Sequence, residues 1–248
     1  MNSKWIRFGK NRIDSEKCMI CIPFAGSGAS LFAGWQRVMG NEIEVLPIQL
    51  PGREERIAEK PVTSIDDVVN SIIQAVVPVI NGRKFVVFGH SMGGLIAYAL
   101  TAKLEKEYDL SPELCVISAS SINICTKKQK VSEMNDDELI QELSSYGGMD
   151  EQLLSLPDYL KMYLNIIRND YKLIEDFGAS EKVKVHSPLR LYSGTEDNLF
   201  DKEDMKSWYG LTSSVVTERV FEGDHFFIKK HVEDICKDVL ENIRNGDN

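Results

Sequence analysis

Phe85-Val86-Val87-Phe88-Gly89-His90-Ser91-Met92-Gly93-Gly94-Leu95-Ile96-Ala97-Tyr98-Ala99-Leu100 is the stretch that decides the fold of this chain. Its first part is a β-rich apolar run, its last part is helical, and Gly-x-Ser-x-Gly stands between them. The order strand, tight turn, helix follows, with Ser91 at the apex. Glycines two residues either side of Ser91 remove the side chains that would block so sharp a turn. A serine hydroxyl is a poor nucleophile. A fold that uses one must expose it, bring a base to it and aim backbone N–H groups at the oxyanion that forms. The turn meets the first requirement, and its strand-to-helix setting argues against a merely structural Gly-rich turn.

Further β-type runs lie at residues 17–22, 43–49, 113–119, 189–193 and 214–221, with helical patterns between most of them. Strands alternating with helices predict an α/β fold with a mostly parallel central sheet flanked by helices. Ser64, followed by Asp67, predicts a capped helix start, and Ile65, Val68, Val69, Ile72, Ile73, Val76 and Val77 form its buried stripe. A last helix from about His231 carries Val232, Ile235, Cys236, Val239, Leu240 and Ile243 on one face. Between the fourth and fifth strands, about residues 123–184, β signal is absent. Asn135 with Asp136, Asp137 and Glu138 starts a helix there, Gly147-Gly148 stops it, and Pro157 to Phe177 form a longer one. An insertion of this size is expected to be a helical lid over the strand ends that carry Ser91.

With 248 residues and 43% hydrophobic content, the chain is expected to form a single domain over residues 1–248. Its net charge of −9 argues against nucleic acid and anionic membranes as main partners. No apolar run approaches the ~18 residues of a membrane span, and the N-terminus lacks a signal-peptide core, so a cytoplasmic protein is expected. Five cysteines, an odd number, fit a reducing compartment. Cys18-Met19-Ile20-Cys21 has redox or zinc spacing, but on a strand residues three apart point to opposite faces. The two thiols are therefore expected to be buried and separate. No cluster of His, Cys and Asp suggests a metal, and the chemistry needs no cofactor.

In an α/β-hydrolase fold the base and acid follow the nucleophile in the order Ser, acid, His. The chain has four histidines. His90 is held by the turn, His186 precedes a strand and His231 starts a helix. His225 stands in Gly223-Asp224-His225-Phe226-Phe227, directly after the final strand, and is the candidate base. Asp197 lies in the first turn beyond the strand ending at Ser193 and is the candidate acid, with Asp201 in reserve. Met92, the residue after the nucleophile, is one candidate oxyanion donor. Ala25, in the loop Pro23-Phe24-Ala25-Gly26-Ser27-Gly28 after the first strand, is the other. That loop lacks the lysine of a P-loop and the third glycine of a dinucleotide fingerprint.

Four signatures together resemble the type II thioesterases of nonribosomal peptide and polyketide synthesis. They are Pro23-Phe24-Ala25-Gly26; Gln49-Leu50-Pro51-Gly52-Arg53-Glu54-Glu55-Arg56; Gly89-His90-Ser91-Met92-Gly93; and Gly223-Asp224-His225-Phe226-Phe227. Arg168-Asn169-Asp170-Tyr171 resembles the family's Arg-x-Asp-aromatic. The resemblance implies hydrolysis of acyl thioesters from the phosphopantetheine arm of an acyl or peptidyl carrier protein domain, by a monomer. It implies Ser91, Asp197 and His225 as triad, and Met92 and Ala25 as oxyanion hole. For Arg53, Glu54 and Arg56 two readings stand: salt bridges that position the oxyanion loop, or a solvated loop. Competing functions are a carboxylesterase or lipase acting on small esters, and a non-catalytic binding protein of the same fold.

Overall fold

A computed structural model describes residues 3–7, 15–123, 130–149, 151–180, 182–200 and 202–245. Among these residues six strands form one sheet: β1 (Lys17–Ile22), β2 (Glu44–Pro47), β3 (Lys84–His90), β4 (Leu114–Ser118), β5 (Leu189–Gly194) and β6 (Val216–Phe221). Their order is β2-β1-β3-β4-β5-β6, and every pairing is parallel. Each expected strand is present, with small shifts at the ends. β2 is shorter than its apolar run and ends at Pro47, which an edge strand tolerates. β3 continues to His90 because Gly89 and His90 pair with Ile117 and Ser118 of β4.

The helices are α1 (Trp35–Met39), α2 (Ile65–Ile80), α3 (Met92–Tyr108), α4 (Asp136–Ser145), α5 (Glu151–Leu154), α6 (Pro157–Ala179), α7 (Lys202–Met205) and α8 (Val232–Asn245). Alternation along the strands divides the apolar residues between two layers. Phe85, Val87, Cys115 and Ile117 face α2, α3 and α6. Val86, Phe88, Leu114 and Val116 face α1 and α8. Cys18 lies in the first layer and Cys21 in the second, so the sheet itself separates the two thiols. Burial pushes Cys18 up to about 11 and Cys236 up to about 12. Cys125 lies outside the described residues.

Local signals translate directly into helix ends. The Ser64 hydroxyl accepts the Asp67 N–H, and Asn135 and Glu138 form a reciprocal capping box at the start of α4. The α2 stripe is buried as expected, with Val77 half-buried at its margin. α8 is tied to the sheet through Asp238, whose carboxylate accepts from Arg190, Tyr192 and Arg219. Burial works to raise that carboxyl, but these donors outweigh it and hold Asp238 below its usual range. No helix among the described residues is long and apolar enough to cross a membrane.

Candidate active site

The turn after β3 is as tight as its glycines imply. A Cβ on Gly89 would lie 1.9 Å from the carbonyl oxygen of Gly93, and one on Gly93 would lie 2.2 Å from that of Ile22. Helix α3 can therefore approach the ends of β3 and β1 only with glycine at both positions. Ser91 itself takes φ 54° and ψ −118°, an unfavourable conformation for a residue with a Cβ. It is held there by its own N–H, donated to Ser118 O at 2.7 Å, and by its carbonyl, which accepts from Gly94 N at 2.8 Å. The hydroxyl is thrust above the sheet at the N-terminus of α3.

His225 Nε2 lies 3.0 Å from Ser91 Oγ, and His225 Nδ1 lies 2.9 Å from Asp197 Oδ2. The other Asp197 oxygen accepts from the N–H groups of Leu199 and Phe200 at 2.9 and 3.4 Å. A carboxylate can only accept, so the imidazole proton belongs on Nδ1, leaving Nε2 free to accept from the serine. The side chains of His225 and Asp197 are 3% and 1% exposed, so bulk water does not compete for these bonds. The histidines at 186 and 231 bond elsewhere, to Ser213 and to Glu222 O. The reserve acid, Asp201, lies outside the described residues.

His90 is fully buried and braces this arrangement from below. Its Nε2 donates to the carbonyl of His225 at 2.9 Å, and its Nδ1 accepts from the Ser118 hydroxyl at 2.8 Å. Burial, then the neighbouring His225, holds His90 well below its usual titration range, so it is neutral at pH 7.

Ala25 stands in a turn closed by Ser27 N donating to Phe24 O at 3.0 Å. Gly26 follows at φ +83°, the value for the third residue of a type II turn. A Cβ on Gly26 would also lie 2.6 Å from Ile167 of α6. The Gly26 N–H donates at 2.7 Å to Asp170 of α6, and that carboxylate is gripped by both terminal nitrogens of Arg53 at 2.6 Å each. Arg53 also donates to Ser27 O at 3.2 Å. The Gln49 side chain accepts from Ala29 N and donates to Arg53 O, joining the two loops. Glu54 accepts from Ser30 and pairs with Arg7, and Arg56 donates to Gln49 O and to Glu59.

Ser91, His225, Ala25 and Phe24 share a cavity with residues of the 123–184 segment, among them Leu143, Tyr146, Tyr163, Ile167 and Tyr171. These cover the serine, which is only 8% exposed. The cavity has about 30 Å³ of free space, room for a water molecule or two. Among the described residues no three His, Cys, Asp or Glu side chains gather as a metal site.

A family model for the thioesterase domain matches residues 18–243. The chain belongs to the thioesterase family. Among curated proteins, this thioesterase is 30% identical to the gramicidin S biosynthesis protein GrsT of Aneurinibacillus migulanus, over 96% of this chain and 94% of that one. It is 26% identical to the thioesterase PikA5 of Streptomyces venezuelae, over 96% and 85%. Among solved structures it resembles the type II thioesterase BorB from the borrelidin biosynthetic cluster, with a TM-score of 0.86, 27% identity, and coverage of 98% and 99%.

Two parts of the thioesterase site were not read from its sequence. One is His90, set aside there as a proton acceptor and given no other task; the residue pattern does not show that its ring reaches the backbone of His225. The other is the Arg53–Asp170 contact, although both residues sit in quoted signatures. It favours salt bridges over a solvated loop for Arg53. Glu54 and Arg56 share that loop's bonding.

Proposed function

We propose that this thioesterase hydrolyses acyl thioesters presented on the phosphopantetheine arm of an acyl or peptidyl carrier domain, as an editing enzyme of nonribosomal peptide or polyketide synthesis. The contact chain Asp197–His225–Ser91 carries the catalytic part of this reading. The names of GrsT, PikA5 and BorB support the biosynthetic part.

His225 takes the Ser91 proton as the hydroxyl attacks the thioester carbonyl, and Asp197 stabilises the imidazolium that results. The N–H groups of Met92 and Ala25 receive the oxyanion. Met92 is well suited because it opens α3, where the helix dipole favours negative charge. Collapse of the tetrahedral intermediate expels the pantetheine thiolate, a good leaving group that makes little demand on the acid. Water activated by His225 then attacks the acyl-serine, and the acyl chain leaves as a carboxylic acid. No metal or organic cofactor enters these steps.

The segment at about 123–184 acts as the lid of a single α/β-hydrolase domain over residues 1–248. A cavity of about 30 Å³ cannot hold an acyl group and the end of a pantetheine arm, so the lid must shift to admit them. The enzyme works as a cytoplasmic monomer that meets its carrier transiently.

The test is a hydrolysis panel on one carrier protein loaded with short, long and aminoacyl groups, beside simple oxygen esters. Turnover of the carrier-borne thioesters, abolished in Ser91→Ala, is expected. A strong preference for oxygen esters would replace the reading with a carboxylesterase, and undiminished hydrolysis by Ser91→Ala would remove the triad.

A further inference from the structure

Arg53 and Asp170 take no part in the steps above, yet the fold buries both charges completely, with side chains 4% and 0% exposed. A buried ion pair is a poor source of stability, because removing two charges from water offsets much of their attraction, and apolar residues of the same size often hold a core as well. What the pair does better than apolar residues is orient backbone groups. Asp170 Oδ2 accepts both an Arg53 nitrogen and the Gly26 N–H, while the same Arg53 nitrogen donates to the carbonyl of Ser27. Thus one side chain from α6 and one from the loop after β2 hold a donor and an acceptor of the turn that contains Ala25.

The direction of the Gly26 N–H matters for that turn. Type I and type II turns differ by a reversal of their central peptide, here Ala25–Gly26. At φ +83° the turn is of the second kind, and reversal would point the N–H away from Asp170 and leave a buried carboxylate oxygen one donor short. The ion pair therefore fixes ψ of Ala25 and turns its carbonyl away from Asp170, while the Ala25 N–H, which belongs to the preceding peptide, is held only through the turn that the pair stabilises.

We infer that Arg53 and Asp170 are positioning residues that preset the Ala25 side of the oxyanion hole, and that the hole is complete only while α6 is seated. Ile167, one turn before Asp170, lines the cavity, so the acyl-facing wall and the oxyanion loop are fixed by the same stretch of helix. This inference rests on Ser91 as nucleophile with Ala25 as donor.

The deciding variant is the double replacement Arg53→Met/Asp170→Leu, which removes both charges together, studied with Asp170→Asn and Arg53→Lys in the full chain. Each is measured for melting temperature, for kcat and KM separately, and for affinity towards a boronic acid that places an oxygen in the hole. The double variant is expected to fold with an unchanged or higher Tm. Its kcat should fall by about 10–100-fold with KM nearly constant, and boronate affinity should fall in proportion. Full activity in the folded double variant, a loss of kcat without loss of boronate affinity, or failure of the double variant to fold would each overturn the inference, the last by making the pair structural. A simple aryl ester serves as a second substrate, so the result does not depend on the carrier. Ser91→Ala reports separately on the nucleophile.

Discussion

The carbonyl oxygen of His225 accepts a hydrogen bond from His90 Nε2 at 2.9 Å, so the residue beside Ser91 fixes the backbone of the proposed base. The two rings, 5.5 Å apart, are held in opposite tautomers, His90 with its proton on Nε2 and His225 with its proton on Nδ1. A neutral His90 adds no charge beside the imidazolium that the proposed mechanism forms on His225.

Exchange of His90 for glutamine keeps an N–H near the position of Nε2, whereas alanine leaves the carbonyl unpaired. His90→Ala is expected to lower kcat by about 10-fold or more, and His90→Gln by less. His90 also imposes a pH dependence on stability. Above its ordinary value of 6.5 the folded and unfolded chains both hold it neutral. Below that, the unfolded chain binds a proton that the buried ring refuses. Stability is therefore lost as pH falls from 6.5 towards the depressed folded-state value, at up to about 1.4 kcal/mol per pH unit. Urea midpoints between pH 7.5 and 5 should show this slope, and His90→Gln should flatten it.

Asp197→Asn tests the acid through a conflict built into its surroundings. The Leu199 and Phe200 N–H groups require an acceptor at one side-chain position, which the amide oxygen must fill. The NH2 group then faces His225 Nδ1 and forces the imidazole proton onto Nε2, where it cannot accept from Ser91. A fall in kcat of about 10³–10⁴-fold is expected. Glu196→Gln, at an exposed position, should leave kcat nearly unchanged, and equal losses in the two variants would refute the assignment.

Gly93→Ala and Gly94→Ala separate two kinds of close approach. The new methyl at position 93 meets backbone at Ile22 and Pro23, which cannot yield without moving β1 and the loop that carries Ala25. At position 94 it meets Ser120 Cβ at 2.8 Å and Oγ at 3.0 Å; a rotamer change moves the hydroxyl away, and a shift of a few tenths of an ångström in the loop carrying Ser120 relieves the rest. The first variant is expected to reach or exceed the upper end of the ~1–3 kcal/mol typical of overpacking, with activity lost; the second should stay folded and active. Thermal melts and turnover of both variants check this.

The strands, capped helices and proposed triad were legible because each rests on short-range signals. Gly-x-Ser-x-Gly needs only five consecutive residues, and His225 and Asp197 are singled out as base and acid candidates by their positions just beyond the ends of β6 and β5. The type II turn at Gly26, the bond from His90 to His225 and the pair of Arg53 with Asp170 were not. These last two contacts join residues 135 and 117 positions apart, and they depend on how α6 and the loop after β6 dock on the sheet. A motif such as Arg-x-Asp-aromatic shows which side chain is available, but only the docked helix shows that the acid points inward to a backbone N–H. The lid cover was half legible. Its helices were expected, while the burial of Ser91 beneath Tyr146, Tyr163 and Ile167 depends on side-chain packing without a local pattern.

Tyr163 offers the most direct probe of how that cover limits the acyl group. It lines the cavity beside Gly26, and its hydroxyl donates to Gly148 O at 3.1 Å, tying α6 to the end of α4. Tyr146 and Tyr171 stand behind it with hydroxyls 2.8 Å apart. Burial pushes Tyr171 up to about 12 and Tyr146 further, so neither ionises in the working range and the wall stays uncharged. Removing the ring of Tyr163 opens space on the Ala25 side and releases the loop at Gly148 from α6, while Arg168 still holds the start of α4 through Asp136, and it leaves Ser91, His225 and Asp197 untouched. Tyr163→Ala is therefore expected to raise kcat/KM for a long-chain acyl carrier relative to a short-chain one by about 10-fold, and Tyr163→Phe to leave the ratio almost unchanged. Competition assays with the two loaded carriers in one reaction measure that ratio directly. An unchanged ratio in Tyr163→Ala would place the acyl chain along another wall of the cavity.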